Sequence, residues 1–172
     1  MTEETRKYID ALAQRVIKAY HLQIPILDIN SVVTTLGGTV EAKANDFFYD
    51  AVIQKRNNDS FAIITAPFLD EQRRKFAVAQ QLGHLFLHMG FKTDPICWDS
   101  QKVNVSRYFH TAEPIYQANE FAFALLMPEE EFTRTVSSHL YGRKIDMKAV
   151  SRHFRVSMTA AVYRGRVLQC IL

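Results

Sequence analysis

Residues 76–88 read Phe76-Ala77-Val78-Ala79-Gln80-Gln81-Leu82-Gly83-His84-Leu85-Phe86-Leu87-His88. They lie inside the most helical segment of the chain, Leu69 to about Met89, which opens on Asp70 and Glu71 and meets Gly90 at its end. Acidic residues suit the positive end of a helix dipole, and glycine suits the terminus. Hydrolytic zinc sites are often built on such a helix from two His four residues apart, with Glu directly after the first. Four residues turn a helix by about 400°, so both imidazoles leave one face and share a metal. The Glu beside them takes a proton from metal-bound water. In this chain the same frame reads Gln80-Gln81-Leu82-Gly83-His84, and only its last position is kept.

Upstream, Tyr8, Ile9, Leu12, Val16, Ile17 and Tyr20 form the apolar stripe of an amphipathic helix from about Glu3 to Tyr20. A shorter helix, Ile29 to Leu36, ends at Gly37-Gly38. Thr39–Ala42, Ala51–Gln54 and Phe61–Thr65 read as strands, the last two joined as a hairpin by the polar residues 55–60. The nearly continuous apolar run 61–65 implies burial on both faces, and its edge is a candidate site for strand addition by an extended peptide. Residues 97–111 show no period and read as loop. Downstream, helices are expected from Ile115 to Met127, with Pro114 in the first turn and Pro128 closing it, then over 129–137, 147–154 and 158–168. A small sheet with most helices outside it is α+β.

The segment from Leu69 to His88 resembles the active-site helix of the ImmA/IrrE family of metallopeptidases. Ala118-Asn119-Glu120-Phe121-Ala122-Phe123-Ala124-Leu125-Leu126-Met127-Pro128 is similar to that family's second signature, ANxFAxxLLMP. The two motifs stand in family order, and the likeness covers most of the chain. It implies a zincin-like metallopeptidase fold over 1–172, with a small, mostly antiparallel sheet, an active-site helix and a helical C-terminal part.

Position by position, the family's first zinc-ligand His falls on Gln80, its general base on Gln81 and its second ligand on His84. The third ligand, a Glu, falls on Ile115. Asn119 takes a family position on the same helix face, where a polar side chain orients a ligand from behind. Gln81 is therefore a vestigial base, and Gln80, His84 and Ile115 are vestigial metal positions. A neutral amide is a poor zinc ligand, and Ile has no lone pair. Loss of a general base alone typically costs about 10²–10⁴-fold. His84 and His88 keep ligand spacing and form the alternative metal pair, although Leu85 then stands where the base belongs. No cofactor is expected. Zinc is expected only if this degenerate-site reading fails.

Function classes follow from the same residues. The family works beside repressors in bacteria and their mobile elements, so the resemblance implies regulation: binding of a protein or peptide segment, such as a prophage repressor, without cleavage. An active peptidase with atypical ligands is one alternative. DNA binding is another. Residues 143–166 carry Arg143, Lys144, Lys148, Arg152, Arg155, Arg164 and Arg166 against Asp146 alone, and 150–164 look like helix–turn–helix sequence with Val156-Ser157 at the turn. Over all 172 residues the net charge is only +3, so the basic excess is local. The start has no secretory pattern and no segment is long enough to span a bilayer, so a cytoplasmic protein without a membrane partner is expected. Cys97 and Cys170 do not make a disulfide framework.

Overall fold

A computed structural model describes residues 1–43, 49–107, 109 and 111–171. The element order is α1 (Glu3–Ala19), α2 (Ile29–Thr35), β1 (Gly38–Ala42), β2 (Ala51–Lys55), β3 (Phe61–Thr65), α3 (Glu71–Leu87), α4 (Pro95–Asp99), α5 (Ala112–Leu126), α6 (Glu129–Ser138), β4 (Leu140–Tyr141), β5 (Lys144–Ile145), α7 (Met147–Phe154) and α8 (Met158–Val167). The α+β reading holds, and so does the small sheet.

Helix starts follow local chemistry. Asp28, Asp70, Asp94, Asp146 and Ser157 each accept a backbone N–H of the first turn, which satisfies a donor the helix itself leaves open. Asp94 with Pro95 in the first turn explains α4, a short helix within a stretch partly expected as loop. The β4–β5 hairpin was also not expected. Its strands are two residues each, too short to show a period.

The main sheet runs β1-β3-β2. β2 and β3 pair antiparallel, as the hairpin reading requires, whereas β1 pairs with β3 in parallel. Strand 61–65 is therefore central, buried at all five positions, and has no free edge. The expected peptide-addition site on β3 is corrected on this ground. The outer side of β2 meets the chain's own residues: Asn104 N donates to Lys55 O at 2.7 Å and Arg107 N to Ile53 O at 2.9 Å.

Helix α3 lies between the sheet and α5, and α1 packs on the other side of α5. The close approach of α3 to α5 depends on Gly83. A Cβ there would meet Ala118 O at 2.8 Å and Ala118 Cα at 2.9 Å. Helix α7 ends on Arg155 in the left-handed region (φ 51°), Val156 N returns to Ser151 O, and α8 begins after Ser157. Arg164 fastens α8 to the opposite end of the chain: it is 1% exposed, pairs with Asp10 at 2.7 Å and donates to Met127 O. Lys75 is buried likewise. Its Nζ donates to Ile26 O and Phe154 O, and burial lowers its pKa to about 8, with Arg155 adding to the effect. Among the described residues no helix is long and apolar enough to cross a membrane.

Candidate functional site

The four positions singled out by the resemblance converge. Gln80, Gln81 and His84 from α3 and Ile115 from the first turn of α5 line one cavity of about 280 Å³, together with Asp50, Arg73, Arg107 and Phe109. Positions 80, 81 and 84 share a helix face by their spacing, and the α3–α5 contact brings Ile115 opposite them.

Gln80, Gln81, His84, Arg73 and Arg107 each make polar contacts at the cavity. Gln80 Nε2 donates to Asn119 Oδ1 at 2.7 Å, bridging α3 to α5. Gln81 is 5% exposed; its Nε2 donates to Ala51 O at 3.2 Å, and its Oε1 is buried without a partner. His84 is 3% exposed and stacks on Phe109, with ring centroids 3.8 Å apart and planes within 5°. Its Nδ1 lies 3.0 Å from Nδ1 of His88, whose Nε2 lies 3.0 Å from Gln117 Oε1. Burial, with a smaller contribution from His88, pushes the pKa of His84 down to about 3. Burial also lowers that of His88, against the opposing effect of its hydrogen bond to Gln117 Oε1. Arg73 forms a two-pronged pair with Asp50 at 2.7 and 2.8 Å, and Arg107 Nε donates to Gln101 Oε1 at 2.7 Å.

These residues do not fit a zinc ion. One imidazole reaches the cavity, the Gln80 amide is held by Asn119, Ile115 has no donor atom, and two guanidiniums share the wall. The alternative pair His84 and His88 face each other Nδ1 to Nδ1 at 3.0 Å, so one nitrogen of each ring is taken up by their mutual hydrogen bond and is not free for a shared metal. Among the described residues no group of three or more His, Cys, Asp or Glu is arranged to hold a metal. The unpartnered Gln81 Oε1 is an amide oxygen, which does not accept a proton at neutral pH.

Two features were not foreseen. Glu113 and Gln117, one turn apart on α5, extend the His84–His88 contact: Gln117 Nε2 donates to Glu113 Oε1 at 3.1 Å. The i, i+4 spacing of 84/88 and 113/117 was visible, but the pairing of the two helices was not. The second is a larger cavity of about 570 Å³ on another side of α5, lined by Phe76, Tyr116, Phe123 and Tyr163. Glu120, 3% exposed, faces Tyr163 and Arg6 there. Arg6 Nε is 3.4 Å from Glu120 Oε2, yet neither atom is in hydrogen-bond geometry. Burial, then Glu120, pushes the Tyr163 hydroxyl up to about 12. Glu120 thus lies away from the cavity of Ile115, as its helical position implies.

The seven basic residues of 143–166 are not all on the surface. Arg164 is buried, whereas Arg143, Lys144, Lys148, Arg152, Arg155 and Arg166 are exposed, mostly on the β4–β5 hairpin and α7. Helix α8, which a helix–turn–helix would place in the groove, exposes Met158, Thr159, Tyr163 and one cation, Arg166.

No curated protein matches the chain significantly. Among solved structures, a chain described as a Mycobacterium tuberculosis transcriptional regulator is similar, with a TM-score of 0.60 and 20% identity. The likeness covers 94% of this chain but 50% of that one, so this chain spans about half the length of its structural neighbour. At that identity the likeness speaks for the fold. Residues 38–165, which include both motifs and Gln80, Gln81, His84 and Ile115, match the IrrE N-terminal-like domain, and the chain belongs to that family.

Proposed function

We propose that this IrrE-like domain is catalytically silent, and that it acts in regulation by binding a segment of another protein. The observation behind this reading is the content of the 280 Å³ cavity: Gln80, Gln81 and Ile115 stand where the resemblance puts a ligand, a base and a ligand. Two ligands and the base are absent together, and the losses in metal affinity and proton transfer compound. A regulatory role is supported by the fold-level neighbour, which is described as a transcriptional regulator. The partner proposed on the strength of the resemblance is a repressor, of the kind carried by a prophage, met in the cytoplasm by residues 1–172 acting as one domain.

DNA contact is the second reading, favoured by the exposed cations of the hairpin and α7. Phosphate contact by this surface needs no helix in the groove.

Elemental analysis of the chain purified without chelator tests the main reading. Well under one zinc per chain, with no cleavage of a co-purified protein, is the expected result. Equimolar zinc that survives dialysis, or metal-dependent proteolysis, overturns it.

A further inference from the structure

We infer that the cavity over α3 is a binding subsite for a neutral primary amide, the side chain of an Asn or Gln on a protein partner; this rests on the reading of the site as zinc-free. The argument starts at the far end of a hydrogen-bond chain. A carboxylate only accepts, so Glu113 Oε1 requires the amide nitrogen of Gln117, which turns the Gln117 oxygen toward His88. That oxygen accepts, so His88 Nε2 carries the hydrogen. A neutral imidazole has one N–H, which leaves His88 Nδ1 as a lone pair facing His84 Nδ1 at 3.0 Å. His84 Nδ1 must then donate, and Nε2 of His84 is left as an acceptor. Among the described residues no hydrogen bond engages it.

Gln81, three residues earlier on the same helix, is fixed in the same sense. Ala51 O only accepts, so Gln81 presents Nε2 to it and keeps Oε1 as a second acceptor, buried and unpartnered. Two acceptors one turn apart call for a group with two hydrogens to give. The Gln81 oxygen is buried without a donor and the His84 nitrogen lines the same cavity, so a ligand that donates to both is favoured. An ammonium group would donate, but Arg73 and Arg107 line the same cavity. Arg73 is matched by Asp50, whereas the hydrogen bonds of Arg107 go to the neutral Gln101, so its positive charge is uncompensated by these contacts. A carboxylate would suit Arg107 but would press an anion against two lone pairs. A primary amide meets both conditions, with two N–H groups toward α3 and an oxygen toward Arg107. A volume of about 280 Å³ accommodates one such side chain against the apolar wall of Ile115 and Phe109.

Three isosteric probes separate the possibilities: propionamide, propionate and propylammonium, titrated into the full ¹⁵N-labelled chain and followed by amide chemical shifts. Propionamide should give saturable millimolar shifts centred on residues 80–84 and 107, with either charged probe weaker by about tenfold or more. Gln81→Leu should abolish the response. Imidazole ¹⁵N shifts of the wild type, which need no variant to fold, should show His84 protonated on Nδ1 and bare on Nε2. Equal or better binding of a charged probe, no saturable propionamide response, or the opposite His84 tautomer overturns the proposal. Zinc measured on the same sample keeps the two readings apart. Bound zinc sinks the silent-enzyme reading, whereas amide failure in zinc-free protein sinks the subsite alone.

Discussion

Gln80 and Asn119 join α3 to α5 through a single 2.7 Å amide–amide hydrogen bond, where the resemblance places a metal ligand on one helix and its supporting residue on the other. This bond ties the two helices directly to each other. Gln80→Leu breaks the bond and leaves Asn119 Oδ1 without its donor in a partly buried setting. A loss of about 1–2 kcal/mol is expected, read as a lower urea midpoint at unchanged slope. An unchanged midpoint would mean that packing alone holds the pair.

Rebuilding the family's ligand set is the converse experiment. Gln80→His with Ile115→Glu adds an imidazole and a carboxylate around His84, and leaves a position open for water. The unliganded double variant should be less stable by a few kcal/mol, because a carboxyl then occupies the pocket of Ile115. Added zinc should raise its melting temperature while leaving wild type unmoved, since a ligand bound only by the folded state stabilises it by mass action. Absence of a zinc-dependent rise in a folded double variant would remove Ile115 from the ligand register.

Gly83→Ala sets two effects against each other. Alanine favours a helix interior by about 1 kcal/mol over glycine. Its Cβ, however, would sit 2.8 Å from a backbone carbonyl oxygen and 2.9 Å from a backbone Cα of Ala118, neither of which yields easily. Overpacking of this kind costs about 1–3 kcal/mol, so net destabilisation is expected in thermal melts. A stabilised variant would show that α5 slides freely along α3.

Acid should act through His84. Its pKa falls from an ordinary 6.5 to about 3 on folding, so between those values the unfolded chain binds the proton and the folded chain does not. The stability tied to a neutral His84 is therefore complete above about pH 6.5 and is lost progressively as pH drops toward 3. His84→Phe, which preserves the stack on Phe109, should flatten the fall in urea midpoint between about pH 7 and 4. Parallel curves for the two proteins would contradict this.

The basic tail divides into residues that hold the fold and residues that face solvent. Arg164→Met strands Asp10 and the Met127 carbonyl and should cost about 3–5 kcal/mol, whereas Lys148→Glu with Arg152→Glu should leave the melt almost unchanged. Fluorescence anisotropy with duplex DNA should show weak, sequence-independent binding that drops steeply with salt and is reduced by the double charge reversal. Tight binding that survives physiological salt and is lost on the double charge reversal would establish the second functional reading.

What the residues disclosed in advance, and what they did not, has a physical pattern. The two signature helices were legible because each carries its chemistry within one or two turns, and the register of Gln80, Gln81, His84 and Ile115 placed all four on one cavity. Residues whose role depends on pairing between distant elements were not legible. The parallel pairing of β1 with β3 made strand 61–65 central, a fact its own composition cannot state. The Glu113–Gln117–His88–His84 chain depends on how α3 docks on α5, and the cavity around Glu120 needs α1, α5 and α8 at once. The two-residue strands β4 and β5 are shorter than any periodic signal, and α4 makes little more than one helical turn.

The Arg164–Asp10 pair bears on how the chain behaves when cut. The β4–β5 turn at Gly142 is exposed, with nothing within 4 Å of where its side chain would be, which marks it for a protease. Cleavage there would sever α7 and α8 covalently from everything before them. Arg164 would still bind Asp10 and the Met127 carbonyl, and Lys75 would still bridge Ile26 and Phe154. A nicked molecule should therefore run as one particle in native chromatography and separate into two bands only in denaturant, its C-terminal piece behaving as a bound subunit.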